Sequence, residues 1–96
     1  MLLLGSIVSG NPGAGVALLD SSVARFNSDG GTVNRITGHL FNGVVVGDLS
    51  FARFVGGGND VVTGNSGTDV ICFPQFPATR GALTNIGGGT TNCIEP

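Results

Sequence analysis

Apolar residues in this chain come in short runs broken by glycine, asparagine or aspartate, and the runs recur at a spacing of 26 to 28 residues. Ile7-Val8-Ser9-Gly10-Asn11 is echoed by Arg35-Ile36-Thr37-Gly38-His39 and again by Val61-Val62-Thr63-Gly64-Asn65. Six residues after its glycine each copy continues with an apolar run: Val16-Ala17-Leu18, Val44-Val45-Val46 and Val70-Ile71-Cys72. The first two copies agree further on, pairing Asp20 with Asp48, Ser22 with Ser50, and Ala24-Arg25-Phe26 with Ala52-Arg53-Phe54. Agreement at so many offsets marks one supersecondary unit repeated, whose apolar face is buried only when neighbouring units stack.

These runs follow the two-residue alternation of strands. No window keeps an apolar face at three- and four-residue steps without glycine or several β-branched residues intruding. Placing Val8, Ile36 and Val62 inward turns Ile7, Arg35 and Val61 outward. The same alternation predicts inward columns of Val16, Val44 and Val70 and of Leu18, Val46 and Cys72. A third strand, present in the first two copies, sends Ala24/Ala52 and Phe26/Phe54 inward and leaves Arg25/Arg53 facing solvent. Three short strands in a unit of about 27 residues make one coil of a parallel β-helix, each strand bonded to its equivalent about 4.8 Å above or below.

The Ile/Val-x-Gly-Asn, Gly-Val and Asp-x-Ser elements between Ile7 and Cys72 resemble the right-handed parallel β-helix repeats of the pectin-lyase-like superfamily. The resemblance implies an all-β solenoid of about three coils, with a tight turn at each Gly-Asn pair and side-chain amides stacked between coils. That ladder would run through Asn11 and Asn65, with His39 breaking it in the middle coil. Gly38-His39 is also similar to the glycine-histidine pair of β-helical polygalacturonases. The aspartate motifs that complete such a site are not found, so His39 is read as a surface histidine replacing asparagine.

On this reading residues 1–72 are coils and residues 73–96 a partial coil and cap. Phe73-Pro74-Gln75-Phe76-Pro77 sets prolines where a continuing ladder needs N–H groups, and Asn85-Ile86-Gly87 weakly echoes the earlier turns. Leu2 to Leu4 reads as a strand with a partner partly outside this sequence, the alternative being a short or truncated targeting segment. The chain is thus expected to be the C-terminal fragment of a longer solenoid. Its open N-terminal coil, with unpaired backbone groups and apolar core residues, is expected to self-associate.

Ninety-six residues allow one small domain with a thin core. Charged residues make up 10% against 41% apolar, which excludes charge-driven disorder. Net charge is -2, lysine is absent and the four arginines are scattered, so no basic stripe for nucleic acid exists. No apolar stretch is long enough to span a bilayer. Cys72 and Cys93 fit a disulfide, worth roughly 3 kcal/mol in the loop-entropy model and implying an oxidising compartment. The alternative is two buried thiols.

One competing motif lies in the third copy. Val55 to Thr63 and Gly64 to Cys72 are two nine-residue stretches resembling the G-G-x-G-x-D-x-U-x repeat of calcium-binding β-rolls. The resemblance makes Asp60 and Asp69 candidate metal ligands for calcium, with Val62 and Ile71 in the core. Both copies are imperfect, Val55 replacing a glycine in one and Asn65 in the other, and the longer repeat already explains their glycines. Stacked Asp20/Asp48 and Arg25/Arg53 could act on an acidic polysaccharide, but one copy per coil is also what a structural repeat produces. No triad motif involves the single histidine.

The sequence therefore predicts a non-catalytic structural or adhesion segment of a secreted or cell-surface protein, with no catalytic residue assigned and an extracellular polysaccharide as a partner. The alternatives are a fragment of a polysaccharide lyase or glycoside hydrolase and a calcium-binding module.

Overall fold

In a computed structural model of the chain, residues 1–56, 59–73, 79–81 and 86–93 are described. Alternation of apolar residues produces ten short strands. β1 (Leu2–Leu4), β2 (Ile7–Ser9) and β3 (Val16–Leu18) make the first circuit; β4 (Val23–Asn27), β5 (Arg35–Thr37) and β6 (Val44–Gly47) the second. β7 (Phe51–Val55), β8 (Val61–Thr63) and β9 (Val70–Phe73) complete the third, and β10 (Thr79–Gly81) follows.

Each strand pairs in parallel with its equivalent one circuit on, giving sheets β1-β4-β7-β10, β2-β5-β8 and β3-β6-β9. Among the described residues there is no α-helix. The fold is the all-β parallel β-helix that the repeat predicts, and its parallel connections are consistent with right-handed winding.

The register also follows the repeat. Val8 aligns with Ile36 and Val62, Val16 with Val44 and Val70, and Leu18 with Val46 and Cys72. These columns, with Ala24/Ala52 and Phe26/Phe54, form the core. The two phenyl rings stack with centroids 4.5 Å apart, so the aromatic column packs as layers rather than as one pool. Arg25 lies beside Arg53 and both are exposed.

One of the three corners has constant length. Six residues separate β2 from β3 (10–15), β5 from β6 (38–43) and β8 from β9 (64–69). The largest irregularity is at the corner leading from the first sheet to the second, with residues 5–6, 28–34 and 56–60. That is why the stack steps by 28 and then by 26 residues.

Many corner backbone N–H groups donate to carbonyls of the neighbouring coil, as Leu40 does to Asn11 and Ser66 to His39, and side chains from the next coil receive others. The Asn11 N–H donates to His39 Nδ1 at 3.1 Å, and the His39 N–H donates to Asn65 Oδ1 at 3.1 Å. His39 Nε2 lies 3.0 Å from the Val8 carbonyl, while Asn65 Nδ2 donates to the Ile36 carbonyl at 3.2 Å. Imidazole thus repeats the acceptor-and-donor geometry of a carboxamide. With Nδ1 accepting, the ring carries its proton on Nε2.

This corrects the expectation of a surface histidine that breaks the ladder: His39 is 1% exposed and continues it. Gly15 and Gly43 make the rungs possible, because a Cβ on them would lie 2.6 Å from His39 Nε2 and 2.7 Å from Asn65 Nδ2.

Beyond β9 the first sheet takes β10, with Arg53 beside Arg80 in the backbone register. The proline break expected at Pro74 and Pro77, and the echo at Asn85, lie outside the described residues. Ile86 is 2% exposed, and a Cβ on Gly89 would run into the Val62 carbonyl, so this segment lies over the third coil.

The ladder predicts an ordered response at position 39. His39→Asn keeps an acceptor and a donor and should change stability by less than about 1 kcal/mol, whereas His39→Leu strands the Asn11 N–H and Val8 carbonyl and should cost about 1–3 kcal/mol. Urea unfolding of the two variants measures the difference; equal losses would remove the carboxamide-like role.

Candidate functional site

The two candidate metal ligands sit at different corners. Asp60 directly precedes β8 and Asp69 directly precedes β9, so they enter different sheets. Asp60 is fully buried; its Oδ1 accepts the Asn34 N–H at 3.0 Å and the Asn34 Nδ2 at 2.9 Å. Its Oδ2 is buried with no hydrogen-bond partner among the described residues. Among the described residues, no group of three or more His, Cys, Asp or Glu side chains comes together.

Asp60 belongs to a second ladder. The Ser6 N–H donates to Asn34 Oδ1 at 2.9 Å, and Asn34 in turn donates to Asp60. Asn34 Nδ2 also reaches the Leu3 carbonyl at 3.1 Å. The sequence carried a signal for this ladder, because Ser6, Asn34 and Asp60 all stand one residue before the matched Ile7, Arg35 and Val61. At the remaining corner the Ser22 N–H donates to Ser50 Oγ at 3.0 Å, a use for the Ser22/Ser50 match.

Asp69 stands where the earlier coils have Gly15 and Gly43. Those glycines make room for a ladder side chain of the next coil; here a carboxylate fills the position. Asp69 Oδ1 accepts the Asn65 N–H at 3.2 Å and Asn65 Nδ2 at 2.8 Å. Oδ2 accepts the Thr90 N–H at 2.9 Å and the Thr90 hydroxyl at 3.1 Å. The Asn65 N–H, which would otherwise donate to the following coil, is satisfied within its own, so Asp69 terminates this ladder.

Asn92 closes the third sheet beside it, its Oδ1 accepting the Cys72 N–H at 2.7 Å and its Nδ2 donating to the Cys72 carbonyl at 3.1 Å. Cys72 and Cys93 form the disulfide that the sequence suggested.

The remaining candidates are placed by the repeat. Asp20 and Asp48 have φ of 55° and 49° and are exposed at matched turns. Aspartate tolerates this left-handed backbone better than most residues, which accounts for its recurrence there. Arg25 and Arg53 lie on the outer face of the first sheet, in register with each other, and Val23 and Phe51 form the adjacent outward column. His39, buried in its ladder, is separated from that face.

Burial pushes the Asp69 carboxyl up, but the Thr90 N–H, the Asn65 amide, the Asn65 N–H and the Thr90 hydroxyl outweigh it and hold the group below the ordinary carboxylate range. A depressed folded pKa means that the stabilisation is complete above the unfolded value, about 3.9 for aspartate, and disappears as pH falls through the folded value. Asp69→Asn should therefore lower stability at pH 7, by about 1–3 kcal/mol, and flatten the acid limb of the urea-midpoint against pH curve below about pH 4. An unchanged acid limb would remove Asp69 from the terminating role.

In comparisons with known proteins the chain matches no family model, no curated protein and no solved structure, so its functional reading rests on its own geometry.

Proposed function

We propose that this chain is a non-catalytic β-helical scaffold segment of a secreted or cell-surface protein, kin to the pectin-lyase-like solenoids, which holds an extended acidic polysaccharide on the outer face of its first sheet. The observation that supports scaffolding over catalysis is the use of the buried and half-buried polar side chains. His39, Asn34, Asn65, Asp60, Asp69 and Ser50 all bond across or within coils. A side chain locked between coils is spent on architecture and is not presented to a substrate.

The outer face of the first sheet supports the glycan partner. Arg25 and Arg53 stand in register on adjacent strands about 4.8 Å apart, a like-charged arrangement that costs stability until an anion lies across it. Repeated carboxylates along a linear chain are suited to such a column. The Cys72–Cys93 disulfide supports an oxidising location.

Polygalacturonate tests both clauses. Retention on a polygalacturonate matrix should be released by salt and lost in R25Q/R53Q, while neither reducing ends nor unsaturated products accumulate. Turnover by the unmodified chain would replace scaffold with enzyme; binding that survives R25Q/R53Q would remove the arginine column.

Calcium is a second reading, favoured by the buried Oδ2 of Asp60, which has no partner among the described residues. It predicts a Tm higher in millimolar calcium than in chelator, with the difference abolished in Asp60→Asn. Equal melting in both conditions would leave Asp60 as a ladder rung alone.

A further inference from the structure

The two ends of the stack are finished differently. At the C-terminal end, Ile86 is buried with the core, Thr91 bridges to Val70, and Asp69, Thr90 and Asn92 engage backbone donors and acceptors of the third coil. At the other end β1, β2 and β3 each have one strand neighbour, as β10, β8 and β9 do, but the core positions there are less well covered. Val8 and Val16 are partly exposed, although their counterparts Ile36, Val62, Val44 and Val70 are all at 0%.

The ladders have a direction. Among the described residues, in the five rungs joining the three coils the backbone donor belongs to the earlier coil and the side-chain acceptor to the later one: Ser6 to Asn34, Asn34 to Asp60, Asn11 to His39, His39 to Asn65, Ser22 to Ser50. Asn11 and Ser6 occupy acceptor positions in the first coil with no coil above to donate. A group that completes the pattern must offer backbone N–H groups at those corners. It must also offer apolar residues over Val8 and Val16, and a residue without a Cβ over Asn11, as Gly15 lies over His39.

We infer that the N-terminal face of the stack seats a further three-strand coil, running parallel to β1, β2 and β3 and continuing the ladders onto Ser6 and Asn11. The inference deepens the scaffold reading by naming what the scaffold joins to, and its surface continues the coil-to-coil interface already present twice within the chain. A second copy fits this face less well. Residues 86–93 cover the C-terminal end of its second and third sheets, and meeting face to face would run the strands antiparallel and set Asn11 acceptors against each other.

The β1–β4 register, with Leu2 beside Arg25, dictates the test. A second copy of residues 1–23 placed ahead of Met1 of the complete chain brings a coil onto the face in register, supplying its own Asn11 N–H and Gly15. Amides of the original β2 and β3 should then exchange about tenfold more slowly or better, and Tm should rise.

A control carrying Val8→Asp and Val16→Asp in the added copy alone should lose that protection while the rest of the chain stays folded. Asn11→Ala in the original coil should diminish the protection gained. Unchanged exchange in β2 and β3 of the extended chain, with the copy cut readily by protease, would overturn the inference. So would a dimer of the unextended chain that already protects those amides, which would make a second copy the occupant. The scaffold reading fails separately, by polysaccharide turnover, which none of these exchange measurements reports.

Discussion

The constraint on which this fold depends is the fate of corner backbone N–H groups. Within the sheets, parallel pairing satisfies the backbone between coils. At the corners the chain turns and backbone pairing between coils becomes incomplete, and a buried N–H without an acceptor costs as much as a lost hydrogen bond. The molecule answers with side chains that reach back one coil: His39 and Asn65 at one corner, Asn34 and Asp60 at the second, Ser50 at the third. Several other features follow from this device. Gly15 and Gly43 lack side chains because a rung lies against them, and Asp69 takes the equivalent position where the rungs end.

The strand register was legible in the sequence because apolar periodicity is set by burial, and burial depends on the side chain alone. Matching Val8, Ile36 and Val62 by residue type was sufficient to align three strands. The polar corners were harder to read, because a hydrogen-bonding role can be filled by chemically different residues. Histidine at position 39 looked like a departure from asparagine when judged by type. Judged by atoms, an imidazole with Nδ1 bare and Nε2 protonated offers the same acceptor and donor as an amide. Ser6, Asn34 and Asp60 likewise share a position and an acceptor function but no residue name, and their ladder was missed for that reason.

The same distinction decides how the acidic residues are interpreted. A nine-residue motif assigns Asp60 and Asp69 one shared purpose because it compares spacing along the chain. In three dimensions a nine-residue step in this solenoid crosses a corner and moves to another sheet, so equal spacing leads to different surroundings. Asp60 lies under Asn34 with one oxygen engaged, while Asp69 holds Asn65 and Thr90 with both. Their common sequence context reflects the repeat length; their individual environments determine what each carboxylate can do.

A stack of this kind is close to one-dimensional, so its ends bear more weight than in a globular core of the same size. Each interior coil buries two faces and each terminal coil only one, which leaves a 96-residue chain with few interior coils to offset its ends. At the C-terminal end, three devices converge on the third sheet: the Asp69 carboxylate, the Asn92 amide clasping both backbone groups of Cys72, and the Cys72–Cys93 disulfide. The cross-link closes a loop whose entropic contribution is about 3 kcal/mol, comparable with a substantial share of the total stability of a small domain. The bond ties β9 to residues 86–93 and so holds Thr90 within reach of the carboxylate that ends the ladder.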